Sequence, residues 1–143
     1  MNTLVVDASV AAKWVLPPQG EELVPEALRL LDLYAQGQIR FVVPDVFWAE
    51  FGDLLQEAVR QQRLTSATAL QAMNAIRNRR FPSVASERLL PEALPVALST
   101  GRTLSDCLYV ALAMSSNAQF VTADEALANS LAARLPVKWL GAY

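Results

Sequence analysis

The chain has 143 residues, of which 53% are apolar and 18% charged, a composition that excludes intrinsic disorder and suits one folded domain. It contains no histidine, which excludes Ser–His–Asp triads, Cys–His pairs and histidine-ligated zinc, and its single cysteine excludes an intramolecular disulfide. The net charge is −2, but residues 60–102 carry seven arginines and two acids, a pattern that suits either a polyanionic substrate or solvated helix faces.

The chain opens with an apolar run, residues 3–6, that is typical of a buried strand. Asp7 interrupts the apolar core that a signal peptide would need, and Lys13 follows that core rather than preceding it. No stretch reaches the ~18 apolar residues of a transmembrane helix. We therefore expect a mature cytoplasmic protein with no membrane partner.

Short apolar runs alternate with segments of helical length. The predicted strands cover residues 3–6, 40–43, 119–122 and 137–140, and residues 81–90 are compatible with a further short strand. The predicted helices cover residues 9–16, 24–36, 44–63, 66–80, 91–101, 104–115 and 125–134. Because continuous apolar strands between helices are typical of covered parallel sheets, we expect an α/β/α sandwich. Its central, mainly parallel sheet has four or five strands, flanked by about seven helices in a single domain over residues 1–143.

Prolines and glycines mark several of these predicted boundaries. Pro44 and Pro91 suit the first turn of a helix, whereas Gly37 and Gly101 suit helix ends. The Pro17–Pro18 pair marks a loop after the first predicted helix.

Two aspartates follow predicted strands. Asp7 is the only charged residue among residues 1–12, and Asp124 comes directly after the strand at 119–122. Either side chain could simply cap the helix that follows. The carboxyl ends of parallel strands converge on one crevice, however, so two aspartates at the ends of neighbouring strands would face the same space.

Two further acids lie on predicted helices. Asp106 is the only charge among residues 103–123, and with Thr103 it has the spacing of a capping box. That role is compatible with a functional one, because the first turn of this helix points toward the same edge of the sheet. Glu50 falls at the border of an apolar helix face, where a surface glutamate is the plain alternative, and Asp53 is expected to face solvent.

If these four carboxylates meet, their repulsion decides the chemistry. Two carboxylates ~4 Å apart repel by about 4 kcal/mol at an effective dielectric near 20. An all-oxygen cluster without histidine or cysteine suits Mg²⁺ or Mn²⁺ rather than zinc. Such a metal activates a water molecule and stabilises charge on a phosphoryl group, a route to phosphodiester hydrolysis that needs no histidine.

Four motifs occur in the order and approximate spacing of a PIN-domain ribonuclease: VVDASV, PDVFWAEFGDLL, TLSDCLYVALA and FVTADEAL. Over essentially its whole length the chain resembles the VapC-type toxins of toxin–antitoxin pairs. The resemblance implies a PIN-like fold, Mg²⁺- or Mn²⁺-dependent cleavage of RNA, a small antitoxin partner that neutralises the enzyme, and a homodimer. One position departs from the pattern: many relatives have an asparagine shortly after the helix glutamate, whereas this chain has Phe51, Gly52 and Asp53.

The resemblance also implies roles for individual residues. Ser9 and Thr122 match supporting hydroxyl residues of the family. The residues that match its catalytic and metal-binding acids are Asp7, Glu50, Asp106 and Asp124.

Four basic residues are predicted to bind substrate. Lys13 lies one turn beyond Ser9, where it could contact the scissile phosphate or neutralise the acids. Arg77, Arg79 and Arg80 cluster near a helix end, where they either offset the helix dipole or contact RNA phosphates.

Other functions stay open at this point. A PIN-fold module that has lost catalysis would only bind RNA or a protein, and a housekeeping RNA-processing nuclease would share the chemistry without the toxicity. A phosphotransfer enzyme or receiver domain is less compatible with the sequence. The former needs an aspartate where Ser9 stands, and the latter needs an acidic pair where Asp7 is followed by Ala8.

Overall fold

A computed structural model describes residues 2–143 as helices packed around a five-stranded sheet. The strands are β1 (Asn2–Val6), β2 (Ile39–Pro44), β3 (Ser83–Val84), β4 (Gln119–Thr122) and β5 (Val137–Trp139). The helices are α1 (Ala8–Ala12), α2 (Val24–Ala35), α3 (Val46–Arg60), α4 (Ser66–Arg77), α5 (Ser86–Thr100), α6 (Leu104–Ser115) and α7 (Glu125–Leu131). A short 3₁₀ helix, Leu140–Ala142, follows β5.

All paired strands are parallel, in the order β3-β2-β1-β4-β5. The central strand β1 pairs with both β2 and β4, with Val5 opposite Val42 on one side and Phe120 on the other. This architecture confirms the predicted α/β/α sandwich. Its fifth strand, β3, falls within the segment 81–90 that the sequence left ambiguous.

Helix α6 occupies the centre of the core. It packs against α5 on one side and against β1, β2 and β4 on the other. Removing such apolar side chains from water stabilises the fold by roughly 1.5–3 kcal/mol for each large residue. The packing therefore fixes the amino end of α6 near the carboxyl ends of these strands. The consecutive buried residues of α6 are Cys107, Leu108, Tyr109, Val110, Ala111, Leu112 and Ala113.

Two predicted helix starts are wrong. Helix α5 begins at Ser86, because Asp45 accepts hydrogen bonds from the Ser86 amide (3.1 Å) and hydroxyl, a long-range cap that the local sequence does not reveal. Pro91 therefore lies inside α5 rather than in its first turn. Pro44 ends β2, and α3 starts after it at Val46.

Gly101 ends α5 as predicted. Its φ of 74° lies in the left-handed region, which favours glycine because no Cβ is present to clash. The turn that follows brings Thr103 to the start of α6, where its hydroxyl accepts from the Asp106 amide at 3.1 Å. Within residues 2–143, every helix falls short of the length and apolar character needed to cross a membrane.

Candidate metal centre

Asp7 lies between β1 and α1 at the carboxyl edge of the sheet. Its amide donates to the Val121 carbonyl at 3.0 Å, which carries the β1–β4 pairing past the end of β1. Two hydroxyls donate to the same carboxylate oxygen, Oδ2: Thr122 at 2.7 Å and Ser9 at 2.9 Å. Neither hydroxyl occupies Oδ1. The carboxylate is therefore held in a fixed orientation with one oxygen left for another partner.

The environment of Asp7 disfavours its negative charge. Burial raises the pKa of this carboxyl, and the nearby charge of Asp106 raises it further, whereas the hydroxyls of Thr122 and Ser9 act in the opposite direction. Since Asp7 makes no side-chain capping bond to α1, the simple capping role considered for it is not what the structure shows.

Glu50 projects from α3 toward the same region. The Tyr109 hydroxyl donates to Glu50 Oε1 at 2.6 Å. Burial raises the pKa of Glu50, the bond from Tyr109 lowers it, and the charges of Asp7, Asp106 and Asp53 raise it again. A cavity of about 280 Å³ connects the two acids; its lining residues are Asp7, Ala8, Ser9, Glu50, Asp53 and Leu54.

Asp106 sits in the first turn of α6, half-buried. The predicted cap is present, because the Thr103 hydroxyl accepts from the Asp106 amide. Burial raises the pKa of the Asp106 carboxyl, Thr103 and the Arg102 guanidinium lower it, and the charge of Asp124 raises it. Asp106 thus lies in the first turn of a helix that Thr103 caps, and its charge is within electrostatic range of the other acids.

Asp124 is the most exposed of the four acids. Its carboxylate caps α7 by accepting from the Leu127 amide at 3.1 Å. Its own amide donates to the Thr122 hydroxyl at 3.1 Å, the same hydroxyl that binds Asp7. The capping role considered for Asp124 is therefore present, and a chain of hydrogen bonds connects this residue to Asp7.

The structure thus places the four predicted acids toward one edge of the sheet, but of the four only Asp7 and Glu50 line the cavity there. Across the part of the chain it describes, no three His, Cys, Asp or Glu side chains already stand as a metal-ligand group. Even so, the pKa values of Asp7, Glu50 and Asp106 are raised partly by one another's charge or by that of Asp124. Neighbouring oxygen donors whose charges repel fit a hard divalent cation, which would relieve that repulsion.

The ammonium of Lys13 binds an acid outside the four predicted site acids. It forms an ion pair with Glu21 at 3.0 Å, and Arg63 binds the other oxygen of Glu21, also at 3.0 Å. Arg63 further donates to the carbonyls of Pro17 and Gln19 at 3.2 Å. Together these bonds fasten the loop between α1 and α2 to the end of α3, so the ammonium of Lys13 is already engaged.

Arg77, Arg79 and Arg80 are exposed at the end of α4 and beyond it. The Arg79 guanidinium lies over the Tyr34 ring, 5.7 Å from its centroid, near the end of α2 that leads into β2. The cluster therefore lies toward the amino ends of the strands, away from the carboxylates, and its contact with RNA stays a prediction.

Arg102 is a basic residue near the acids. Its guanidinium donates to the Ser130 hydroxyl at 3.0 Å and to the Ala126 carbonyl at 3.1 Å, both on α7. Its positive charge favours ionised Asp106. Arg102 thus ties the start of α6 to α7 and offsets part of the negative charge at this edge.

Sequence reasoning missed two contributors to the site. Asp53 is exposed, as expected, but it lines the cavity and its charge raises the pKa of Glu50. Tyr109 binds Glu50, and burial together with the charges of Asp7 and Glu50 raises the pKa of its phenol. A signal was available, because Tyr109 lies one helical turn after Asp106 in an otherwise apolar helix and a buried hydroxyl needs a partner.

The PIN domain family matches residues 4–130 of the sequence. The chain belongs to the PIN domain family. Among the curated proteins, none matches the sequence. The fold of this PIN domain is similar to three solved structures, all under 25% identical.

A crystal structure of PAE2754 from Pyrobaculum aerophilum has a TM-score of 0.68 and 22% identity, covering 99% of this chain and 85% of that one. A toxin–antitoxin complex from Klebsiella pneumoniae has a TM-score of 0.59 and 14% identity, covering 96% of each chain. VapBC2 from Rickettsia felis, bound to a DNA fragment from its promoter, has a TM-score of 0.60 and 12% identity, covering 96% of this chain and 98% of that one. These likenesses support the PIN fold.

Proposed function

We propose that this PIN domain, taken as one domain over residues 1–143, is a VapC-like endoribonuclease that hydrolyses RNA with Mg²⁺ or Mn²⁺. The observation that carries the proposal is the cavity that Asp7 and Glu50 line together, with burial and the charge of Asp106 raising the pKa of both carboxyls. Carboxyl groups with raised pKa values cluster at functional sites, and an all-oxygen group of acids suits a hard divalent cation.

Asp7, Glu50 and Asp106 would hold the divalent ion, with Asp124 contributing from the rim of the site. When bound, the ion supplies an activated water and positive charge for the phosphoryl group. Ser9 and Thr122 keep the Asp7 carboxylate oriented and favour its ionised form, which is the form that binds a cation. The chain's own contribution is therefore to place negative oxygens where the phosphodiester would bind.

The direct test is cleavage of a labelled RNA by the purified chain, free of any partner. We expect cleavage with Mg²⁺ or Mn²⁺, none in EDTA, and recovery when the metal is restored. Full activity in EDTA would refute the metal-dependent mechanism. Intact RNA under all metal conditions would favour the binding-only PIN module.

We further propose that a small cognate antitoxin neutralises this enzyme in the cytoplasm and that the chain forms a homodimer. The support is the four-motif resemblance to VapC-type toxins, together with the fold shared with a toxin–antitoxin complex and with VapBC2. Expression of the chain without a partner should arrest growth, and expression of Asp7→Asn should not. Normal growth despite active nuclease would indicate the housekeeping alternative.

A further inference from the structure

We propose that Tyr109 is a positioning residue for Glu50: its hydroxyl binds Oε1 and thereby reserves Oε2 for the cation. This inference rests on the proposed metal-dependent function and adds to it a residue outside the acidic set. Tyr109 acts through Glu50 and would not touch the metal or the RNA.

The hydrogen bond is short and its donor cannot move easily. The Tyr109 hydroxyl lies 2.6 Å from Glu50 Oε1, and the residue is only 1% exposed. Its ring stacks on Phe120 of β4, with ring centroids 4.9 Å apart and an interplanar angle of 14°. Since Phe120 is itself fully buried, its packing restricts movement of the Tyr109 ring.

Glu50, unlike Tyr109, has a side chain that can move. It is half-buried on α3, and glutamate has a long side chain with several rotatable bonds, so an unguided carboxylate would sample many positions. Among the side chains of residues 2–143, the Tyr109 hydroxyl is its one hydrogen-bond donor. The neighbouring charges of Asp7, Asp106 and Asp53 repel this carboxylate. Without Tyr109, repulsion would turn Glu50 away from the site.

The location of Tyr109 fits this role. It lies three residues after Asp106 on α6, so both side chains lie on the same face of that helix. Besides burial, the charge of Asp7 raises the pKa of the Tyr109 phenol, so the hydroxyl that binds Glu50 is also within electrostatic range of Asp7.

The main test is Tyr109→Phe, which deletes the hydroxyl and keeps the ring on Phe120. Tyr34→Phe is the matched control, because its hydroxyl makes a weak, exposed bond to the Arg79 carbonyl at 3.4 Å. Mn²⁺ affinity is measured by electron paramagnetic resonance, and kcat and KM are measured on RNA. We expect Tyr109→Phe to weaken Mn²⁺ binding and to lower kcat, each by about tenfold, with KM almost unchanged. Tyr34→Phe should match the wild type in all three.

A double-mutant cycle distinguishes positioning from a general structural effect. Because Tyr109 acts through Glu50, Tyr109→Phe should cause no further loss of Mn²⁺ affinity in a Glu50→Gln background. An equal loss in both backgrounds, or unchanged Mn²⁺ affinity in the single variant, would overturn the inference. A wild type that binds Mn²⁺ normally but cleaves no RNA would reject the proposed function and leave this binding test decisive.

A second measurement uses the wild-type chain, in case Tyr109→Phe fails to fold. In protein labelled with ¹³C at the tyrosine ζ carbon, Mg²⁺ binding should shift the Tyr109 resonance and leave the Tyr34 resonance in place. A Tyr109 resonance that does not respond to saturating Mg²⁺ would contradict the role.

Discussion

The carboxylates of Asp7 and Glu50 each accept a hydrogen bond from a distant part of the chain, whereas Asp106 and Asp124 form hydrogen bonds with residues near them in sequence. Thr122 donates to Asp7 from 115 residues away in the sequence, and Tyr109 donates to Glu50 from 59 residues away. Thr103 and Leu127, the partners of the second pair, are each three residues away. Tertiary hydrogen bonds thus help to orient the carboxylates of Asp7 and Glu50, whereas the local bonds of Asp106 and Asp124 belong to helix caps. We expect the tertiary half and the capping half of the site to respond differently to substitution.

The largest effect should come from the tertiary half. Asp7→Asn keeps an oxygen for the hydroxyls of Ser9 and Thr122 but removes the charge that binds the cation. We expect cleavage to fall by about 1,000-fold, equivalent to the several kcal/mol that a metal contributes to a transition state. In metal-free buffer the melting temperature should stay the same or rise, since a disfavoured buried charge is gone.

Asp53→Asn is the matched control, an exposed acid on the wall of the same cavity. Its activity should stay within about threefold of the wild type, because an exposed charge contributes little. Retention of more than a tenth of wild-type cleavage by Asp7→Asn would contradict a central role for Asp7.

Removing one long-range donor should have a smaller effect. Thr122→Val keeps the shape of this buried side chain but leaves Asp7 Oδ2 with the Ser9 hydroxyl alone. A hydrogen bond to a charged group contributes about 1.5–3 kcal/mol, so cleavage should fall at least tenfold. Thr122→Ser restores the hydroxyl and should recover most of the activity; equal loss in both variants would point to packing instead.

Substitution of Asp124, the acid at the rim of the site, should cause the smallest loss of activity. Asp124→Asn retains a side-chain oxygen for the Leu127 amide, and we expect cleavage within about fivefold of the wild type. Asp124→Ala also removes the cap of α7, so its melting temperature should fall by about 2–4 °C relative to Asp124→Asn. A loss as large as that of Asp7→Asn would show that Asp124 is an equal ligand.

The stability of the metal-free protein should depend on pH in a direction set by the acids. The pKa values of Asp7 and Asp106 are raised above the ordinary aspartate value of 3.8, and that of Glu50 above the ordinary glutamate value of 4.5. The native state therefore binds protons more tightly than the unfolded chain does. The free energy of unfolding therefore decreases as pH rises from these ordinary values through the raised ones. Calorimetry should show a melting temperature that falls by a few degrees over that interval.

Saturating Mg²⁺ should abolish this decrease, because the cation stabilises the ionised carboxylates of the folded protein. Asp7→Asn should also weaken it, since one of the raised groups is lost. A melting temperature with the same pH dependence in the presence and absence of Mg²⁺ would be inconsistent with a cation site among these acids.

The contrast between the two halves also explains how much of the molecule could be predicted. Continuous apolar runs predicted the parallel sheet, and the local spacing of Thr103 and Asp106 predicted a cap, because these features depend on neighbouring residues. The start of α5 and the bond from Tyr109 to Glu50 depend on residues 41 and 59 positions away. The convergence of the acids was foreseen only because parallel strands bring their carboxyl ends together.

The binding partners of the basic residues could not be predicted from their local sequence. Lys13 was placed correctly one turn beyond Ser9, but its ammonium binds Glu21, whose carboxylate also holds Arg63 from the end of α3. Nothing in the local sequence pairs residues 13, 21 and 63. Arg77, Arg79 and Arg80 share a helix end, as their spacing indicated, but that spacing does not determine which edge of the sheet they face.

The central claim is that carboxylates far apart in the sequence gather around one divalent ion. Crystals soaked in Mn²⁺ and recorded for anomalous scattering test it most directly. We predict an anomalous peak within coordination distance of an Asp7 oxygen and of at least one oxygen from Glu50 or Asp106. The absence of a peak at this edge in saturating Mn²⁺, or a peak beyond coordination distance of Asp7, would contradict a shared cation site.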